Sequence, residues 1–223
     1  MQRTIIHVMR HGEVDNPDGV LYGRLRGYPL TELGYQMAEA GANYLAEQDA
    51  DLARVVASPL LRAQQTAQPA ARIFGVPVEC DTRLIESGNV FEGQVIRKSP
   101  TTLLAPSRLK HYWNPLRPSW GEPYTHQARR MAAAVSAALN AAPGRQSLLV
   151  SHQLPIWMLR SFAEGLPLPH DPRKRECALG SITSFYFSGH TLTGIDYVVP
   201  AADLMPMASD VTPGQSAAAI NRG

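Results

Sequence analysis

The chain has 223 residues, a formal net charge of +2, 44% hydrophobic residues and 18% charged residues. That length suits one domain, or one domain with a sizeable insertion, and the apolar content excludes a chain too polar to bury a core. No stretch approaches the roughly 20 apolar residues of a membrane helix, the basic residues form no run of the kind that binds nucleic acid, and His7 and Arg10 interrupt the apolar start, so no signal peptide is expected.

Cys80 and Cys177 are too few for a disulfide framework and lack zinc-finger spacing; two reduced thiols in a cytoplasmic protein are expected. All basic residues except Lys98, Lys110 and Lys174 are arginines. The guanidinium fork matches phosphate and carboxylate, although arginine excess also follows from codon bias.

In chain order, Thr4–Met9 is β-branched and apolar and reads as a buried strand. A Gly-, Pro-, Asp- and Asn-rich loop follows from Gly12 to Pro29. Thr31 is a candidate N-cap for a helix reaching about Gln48. Arg54–Ala57 reads as a second strand. Ser58 and Pro59 then read as an N-cap and first helical residue of a helix to about Phe74, with a kink or break expected at Pro69. Val76–Glu79 reads as a third strand. The stretch from Ser87 to Glu122 is irregular and reads as an inserted cap. An Ala-rich helix is expected over Glu122–Ala142, a strand over Ser147–Val150 and a helix over Pro155–Glu164. Ser181–Phe187 and Leu192–Val199 read as a hairpin, and Ala201–Gly223 as a loose tail. The alternation predicts an α/β fold: three layers, a largely parallel central sheet, a C-terminal antiparallel hairpin and the inserted cap, in one domain over 1–200.

Ligands of such sheets bind beyond the carboxyl ends of the strands. Arg10 and His11 follow the first strand, Ser58 and Arg62 the second, and Ser151 and His152 a later one. Two imidazoles and two guanidiniums are thus expected at one rim, which suits a phosphate monoester. Neutral imidazole can attack phosphorus, a second imidazole can donate to the transferring group, and a carboxyl group must protonate the departing oxygen. Glu13 and Glu86 are the carboxylate candidates.

These residues carry a resemblance. Arg10-His11-Gly12-Glu13 resembles the RHG signature of the histidine phosphatase superfamily, in its phosphoglycerate mutase-like branch. Pro29-Leu30-Thr31-Glu32-Leu33-Gly34 is similar to its PLT-x-x-G helix start. Ser58-Pro59-Leu60-Leu61-Arg62-Ala63-Gln64-Gln65-Thr66-Ala67 is similar to its SPL-x-RA-x-QTA segment. Leu84-Ile85-Glu86 with Glu92-Gly93, then Gly121-Glu122, then Ser151-His152 follow in family order.

The resemblance implies that His11 is the phosphorylated nucleophile. Arg10, Arg62 and His152 would form the phosphate pocket, and Glu86 would serve as proton donor and then base. It implies no metal or other cofactor. Asn16 stands one position early for the family's phosphate-side amide and is carried as a candidate contact. Where members often have Gly-x-x-Asp, this chain has Gly23-Arg24-Leu25-Arg26, so Arg24 and its neighbour Arg26 are candidates for an anionic group of the substrate. Glu13 is expected to order its loop, His7 to be a core or edge residue rather than a ligand, and Gln153 to alter the pocket's shape where many members have glycine.

The expected partner is a small phosphorylated metabolite, with neither nucleic acid nor membrane; monomer and homodimer are both compatible. A phosphomonoesterase is the favoured reading. The alternatives are a phosphoglycerate mutase on the same phosphohistidine and a non-enzymatic binder of phosphorylated ligands. Arg108, Lys110, Tyr112 and Arg117 lie in the cap, but their arrangement does not reproduce the segment expected of a mutase.

Overall fold

A computed structural model describes residues 3–95 and 121–210. Strand β1 spans Arg3–Arg10, helix α1 Glu32–Glu47, β2 Leu52–Ala57, α2 Leu61–Phe74 and β3 Val78–Cys80. Helix α3 spans Tyr124–Ala141, β4 Gln146–Ser151, α4 Gln153–Ala163, β5 Ile182–Ser188 and β6 Thr191–Val198. The strands form one sheet in the order β3-β2-β4-β1-β5-β6. Pairs β3/β2, β2/β4 and β4/β1 are parallel, while β1/β5 and β5/β6 are antiparallel.

Period-two alternation along the strands builds two cores. Ile6, Val8, Val56 and Leu149 face Met131, Ala134, Val135 and Ala138 of α3 with Ile156 and Leu159 of α4. Met9, Val55, Leu148 and Val150 face Ala42 and Leu45 of α1 with Ala63, Ala67 and Ala70 of α2. The result is an α/β/α stack with a largely parallel sheet, as expected. His7 lies in the core region as anticipated, with Nδ1 at 2.8 Å from Ser184 Oγ and Nε2 at 2.7 Å from Gln146 Oε1.

Several local expectations need correction. Helix α2 starts at Leu61 with Leu60 as N-cap, so Ser58 and Pro59 lie before it. The Ser58 carbonyl accepts from Gln64 Nε2 at 2.6 Å, and its hydroxyl turns toward His152. The helix also continues through Pro69 to its left-handed Gly75 cap. Proline deprives one carbonyl of its donor, but buried Ala67, Ala70 and Ala71 on either side keep the helix seated. Helix α4 begins two residues earlier than expected, placing Pro155 within its first turn.

The start of the supposed loose tail is built into the fold. Ala202–Met207 forms a 3-10 helix, and Ala201, Met205 and Ala208 pack against Met37 and Leu179. Small apolar residues spaced along Pro-containing sequence hid this docking surface. The remainder, 211–223, lies outside the described residues, as does most of the inserted cap, 96–120. On either side of that insertion Asn89 bridges to Gly121, and Glu122 N donates to the Gly88 carbonyl at 3.0 Å.

Two motif glycines, one in the loop after β1 and one in the first turn of α1, bring backbone against backbone. A Cβ on Gly34 would lie 2.1 Å from the Glu13 carbonyl oxygen, and one on Gly12 2.3 Å from the Gly34 oxygen. Both obstacles are backbone. A Cβ on Gly41 would crowd only the movable end of Met9, at 2.5 Å, and touch Ile182 at an ordinary 3.8 Å. Gly34→Ala is therefore expected to cost about 2 kcal/mol or more, while Gly41→Ala is near neutral because helix propensity offsets the strain. Urea unfolding of both variants checks the ranking; equal losses would contradict it.

Candidate active site

The carboxyl ends of β1, β2 and β4 are sewn together beyond their last paired residues. His11 N donates to the Ser151 carbonyl at 3.1 Å, and Ser58 N to that of Val150 at 2.9 Å. This brings Arg10, His11, Arg62 and His152 into one buried cluster, each at most 1% exposed. The His11 and His152 rings lie 5.1 Å apart between centroids.

His11 Nδ1 lies 2.8 Å from the Gly12 carbonyl oxygen. A carbonyl only accepts, so Nδ1 carries the hydrogen and Nε2 keeps its lone pair. Burial, then the charges of Arg62 and Arg10, hold the His11 pKa well below the ordinary histidine value. His152 is lowered well below it too, by burial and then Arg62. Its Nε2 lies 2.8 Å from Ser58 Oγ, while its Nδ1 is buried without a hydrogen-bond partner among the described residues.

The arginines are held from behind. Arg62 donates through Nη2 to the Gly23 carbonyl at 2.6 Å and stacks 4.6 Å from the Tyr22 ring centroid. Its Nε is buried without a partner among the described residues. Arg10 donates through Nη1 to the Cys177 carbonyl and through Nη2 to the Asp210 carboxylate, both at 2.7 Å. The Asp210 side chain is as buried as that of Arg10, 1% exposed. Burial, the largest single effect, pulls the Arg10 pKa down, but Asp210 together with Cys177 and Tyr22 leaves it raised overall.

Glu86 follows the 3-10 turn Thr82–Leu84 after β3. Its Oε1 accepts from Ser87 N at 2.7 Å. Burial nevertheless dominates and raises its pKa above the usual carboxylate range. Arg24 Nε donates to the Glu86 carbonyl at 2.7 Å, and its Nη2 to Glu122 at 2.8 Å. Glu122 also accepts from Arg130 at 2.8 and 2.9 Å. Arg24 thus braces the Glu86 segment from behind, and Arg26 is exposed. Both ends of the Asn16 amide bond the backbone of Val20, at 2.9 and 3.0 Å, so it closes a turn. Glu13 orders its loop, accepting from Thr31 Oγ1 at 2.6 Å and from Ser209 N.

Several supporting residues escaped the sequence reading. Thr66 Oγ1 accepts from Gly12 N at 3.2 Å, and Gln65 Oε1 from Leu30 N at 2.8 Å. Their helical spacing from Arg62 was the available signal. Tyr22, Ser58 and Asp210 carried none, because their partners are distant in sequence. Among the described residues no group of three or more His, Cys, Asp or Glu side chains is placed to hold a metal, and no helix is long and apolar enough to cross a membrane.

The family model for the histidine phosphatase superfamily (branch 1) matches residues 6–197. An uncharacterized Mycobacterium tuberculosis protein, Rv0525, is 47% identical over 201 residues, covering 90% of this chain and 98% of that one. A probable phosphoglycerate mutase, GpmB, of Yersinia pestis is 30% identical over 188 residues, covering 79% of this chain and 83% of that one. The solved structure of mycobacterial glucosyl-3-phosphoglycerate phosphatase Rv2419c shares the fold. Its TM-score is 0.69 at 24% identity, over 89% of this chain and 98% of that one.

Asp210 places a buried carboxylate against Arg10, a guanidinium expected to meet an anion. Asp210→Asn is expected to lower the melting temperature of the free protein, since it removes one partner of a buried ion pair. Inorganic phosphate should then raise the melting temperature more in the variant than in the wild type, because a bound anion restores the missing charge. Thermal melts across a phosphate series test this; equal shifts in both proteins would contradict it.

Proposed function

The chain belongs to the histidine phosphatase superfamily, and on that premise we propose that it is a metal-independent phosphomonoesterase of small phosphorylated metabolites, working in the cytoplasm through a phosphohistidine on His11. The observation that carries this reading is His11 itself. It is a neutral imidazole between two guanidiniums, with Nδ1 committed to the Gly12 carbonyl and Nε2 left as nucleophile.

In the proposed reaction, Nε2 of His11 forms a bond to phosphorus as the ester P–O bond breaks. Arg10, Arg62 and His152 stabilise the charge spread over the non-bridging oxygens. Glu86, kept protonated by its raised pKa, gives its proton to the departing oxygen. The resulting carboxylate then takes a proton from water, whose oxygen attacks the phosphohistidine. Phosphate leaves, His11 returns neutral and Glu86 is protonated again. The same phosphohistidine could instead return its phosphoryl group to an acceptor, and the Yersinia relative keeps that mutase reading in view.

The wild-type protein should hydrolyse an aryl phosphate in the presence of EDTA, and His11→Ala should fall to background; retained activity in that variant would refute the mechanism. Rapid exchange between 3- and 2-phosphoglycerate on adding 2,3-bisphosphoglycerate would favour the mutase. Glu86→Gln should lose roughly 100- to 10,000-fold on alkyl phosphates and much less on aryl phosphates, whose leaving groups need little protonation.

The pH profile has a defined sign. Activity requires neutral His11, whose pKa is depressed, and protonated Glu86, whose pKa is raised. On alkyl phosphates kcat should therefore hold into mildly acidic solution and decline as pH rises through the Glu86 pKa. Glu86→Gln should remove that alkaline decline; its persistence would assign the acid elsewhere.

A further inference from the structure

One buried cation near the pocket takes no part in the mechanism above. Arg175 is 8% exposed, between the 3-10 turn Pro172–Lys174 and Cys177, whose carbonyl holds Arg10. Its Nε donates to His170 Nε2 at 2.8 Å, and its Nη1 to Gln153 Oε1 at 3.2 Å. His170 is set for that role, since its Nδ1 donates to the Leu168 carbonyl at 2.7 Å. An imidazole that accepts from an arginine must be neutral, and burial correspondingly lowers the His170 pKa.

Arg175 forms no ion pair with any carboxylate among the described residues. Segments 1–2, 96–120 and 211–223 contain no Asp or Glu, so every acidic side chain of the protein lies in the described part. A buried guanidinium held only by neutral groups is costly, and buried charges are ordinarily paired. The nearby polar groups are incomplete as well: Gln153, 2% exposed, has its Nε2 buried without a partner among the described residues.

The position points to the reaction site. Gln153 directly follows His152 at the start of α4, and Arg175 lies within electrostatic reach of Glu86 and Arg10. Glu86 is a nearby acidic group but forms no ion pair with Arg175. A full counter-charge in contact with Arg175 would come from outside the chain.

We propose that Arg175, braced by His170 and Gln153 on the wall that continues from His152, binds a second oxyanion of the same substrate, a carboxylate or second phosphate on the part that departs. This rests on the phosphomonoesterase reading and narrows its substrate class. Arg24 was the sequence's candidate for that task; its Nε and Nη2 bond the Glu86 carbonyl and the Glu122 carboxylate.

The test uses the full-length protein and paired substrates. Phosphoserine against phosphoethanolamine isolates a carboxylate; propane-1,3-diol bisphosphate against the monophosphate isolates a second phosphate. In at least one pair, kcat/KM should favour the more anionic member by about ten- to a hundredfold, as expected for a charge-assisted hydrogen bond in a desolvated site. The responding pair identifies the anion. Arg175→Gln should reduce the preference to about threefold or less, and Arg175→Lys, which keeps the charge without the fork, should retain part of it. Arg173→Gln, on the exposed face of the same turn, should retain all of it.

No preference in either pair, or a preference that survives Arg175→Gln, would overturn the inference. Failure to hydrolyse even an aryl phosphate would instead overturn the phosphomonoesterase reading. In that case melting shifts induced by the same pairs, wild type against Arg175→Gln, still report on the subsite. Equal shifts would overturn it too.

Discussion

The constraint on which this structure depends is the burial of positive charge at one sheet edge. Arg10 and Arg62 are each 1% exposed, and two histidines share their space. Such a cluster survives only if each guanidinium is solvated by the protein and each imidazole stays neutral. Both conditions are met by local means. Carbonyls of Gly23 and Cys177 and the face of Tyr22 replace water around the arginines. The arginine field in turn keeps protons off His11 and His152. On the proposed mechanism, the nucleophile is thereby kept neutral by the groups that would hold its target.

The motif residues around the cluster form its frame. Gly12 and Gly34 allow backbone to touch backbone between the loop after β1 and the first turn of α1. Thr31 caps that helix, accepting from Gly34 N, and also donates to Glu13. Thr66 and Gln65, one turn beyond Arg62, fasten the same loop from α2. Glu122 gathers Arg24 and Arg130 behind Glu86, and burial pulling its pKa up is outweighed by those partners and His126, so it remains an anion. Two acidic residues beside the same site thus have opposite proton affinities. Glu122 touches guanidiniums, whereas Glu86 receives a single backbone hydrogen bond and senses the arginines from a distance.

Local order made much of this legible in the sequence. Strand ends, the Thr31 cap and the positions of Arg10, His11, Arg62 and His152 follow from periodicity and spacing, because the parallel sheet brings successive strand ends to one rim. What was missed depends on contacts distant in sequence. Ser58 looked like a helix cap, since nothing nearby shows that its hydroxyl meets a histidine 94 residues away. Asn16 was read only as a candidate contact, and the turn its amide closes with Val20 was not foreseen. Ala201–Asp210 looked like a tail because short apolar side chains carry no periodic signal, although they dock on α1 and bring Asp210 to Arg10.

Arg10 and Arg175 show two solutions to one problem. Both are buried, and both donate to neutral acceptors of the chain. Only Arg10 also has a carboxylate of its own, supplied 200 residues away by Asp210. A pocket that receives a doubly charged phosphate gains from such an internal counter-anion, because the empty site is not left strongly cationic and the ligand exchanges one negative partner for another. Arg175 has no such substitute. Its surroundings of neutral His170 and Gln153 hold the fork in position without satisfying its charge. A cation kept in that state contributes little to the stability of the free protein. It gains most when a negatively charged group arrives, and that difference between free and bound states is the physical basis of selectivity for an anionic partner.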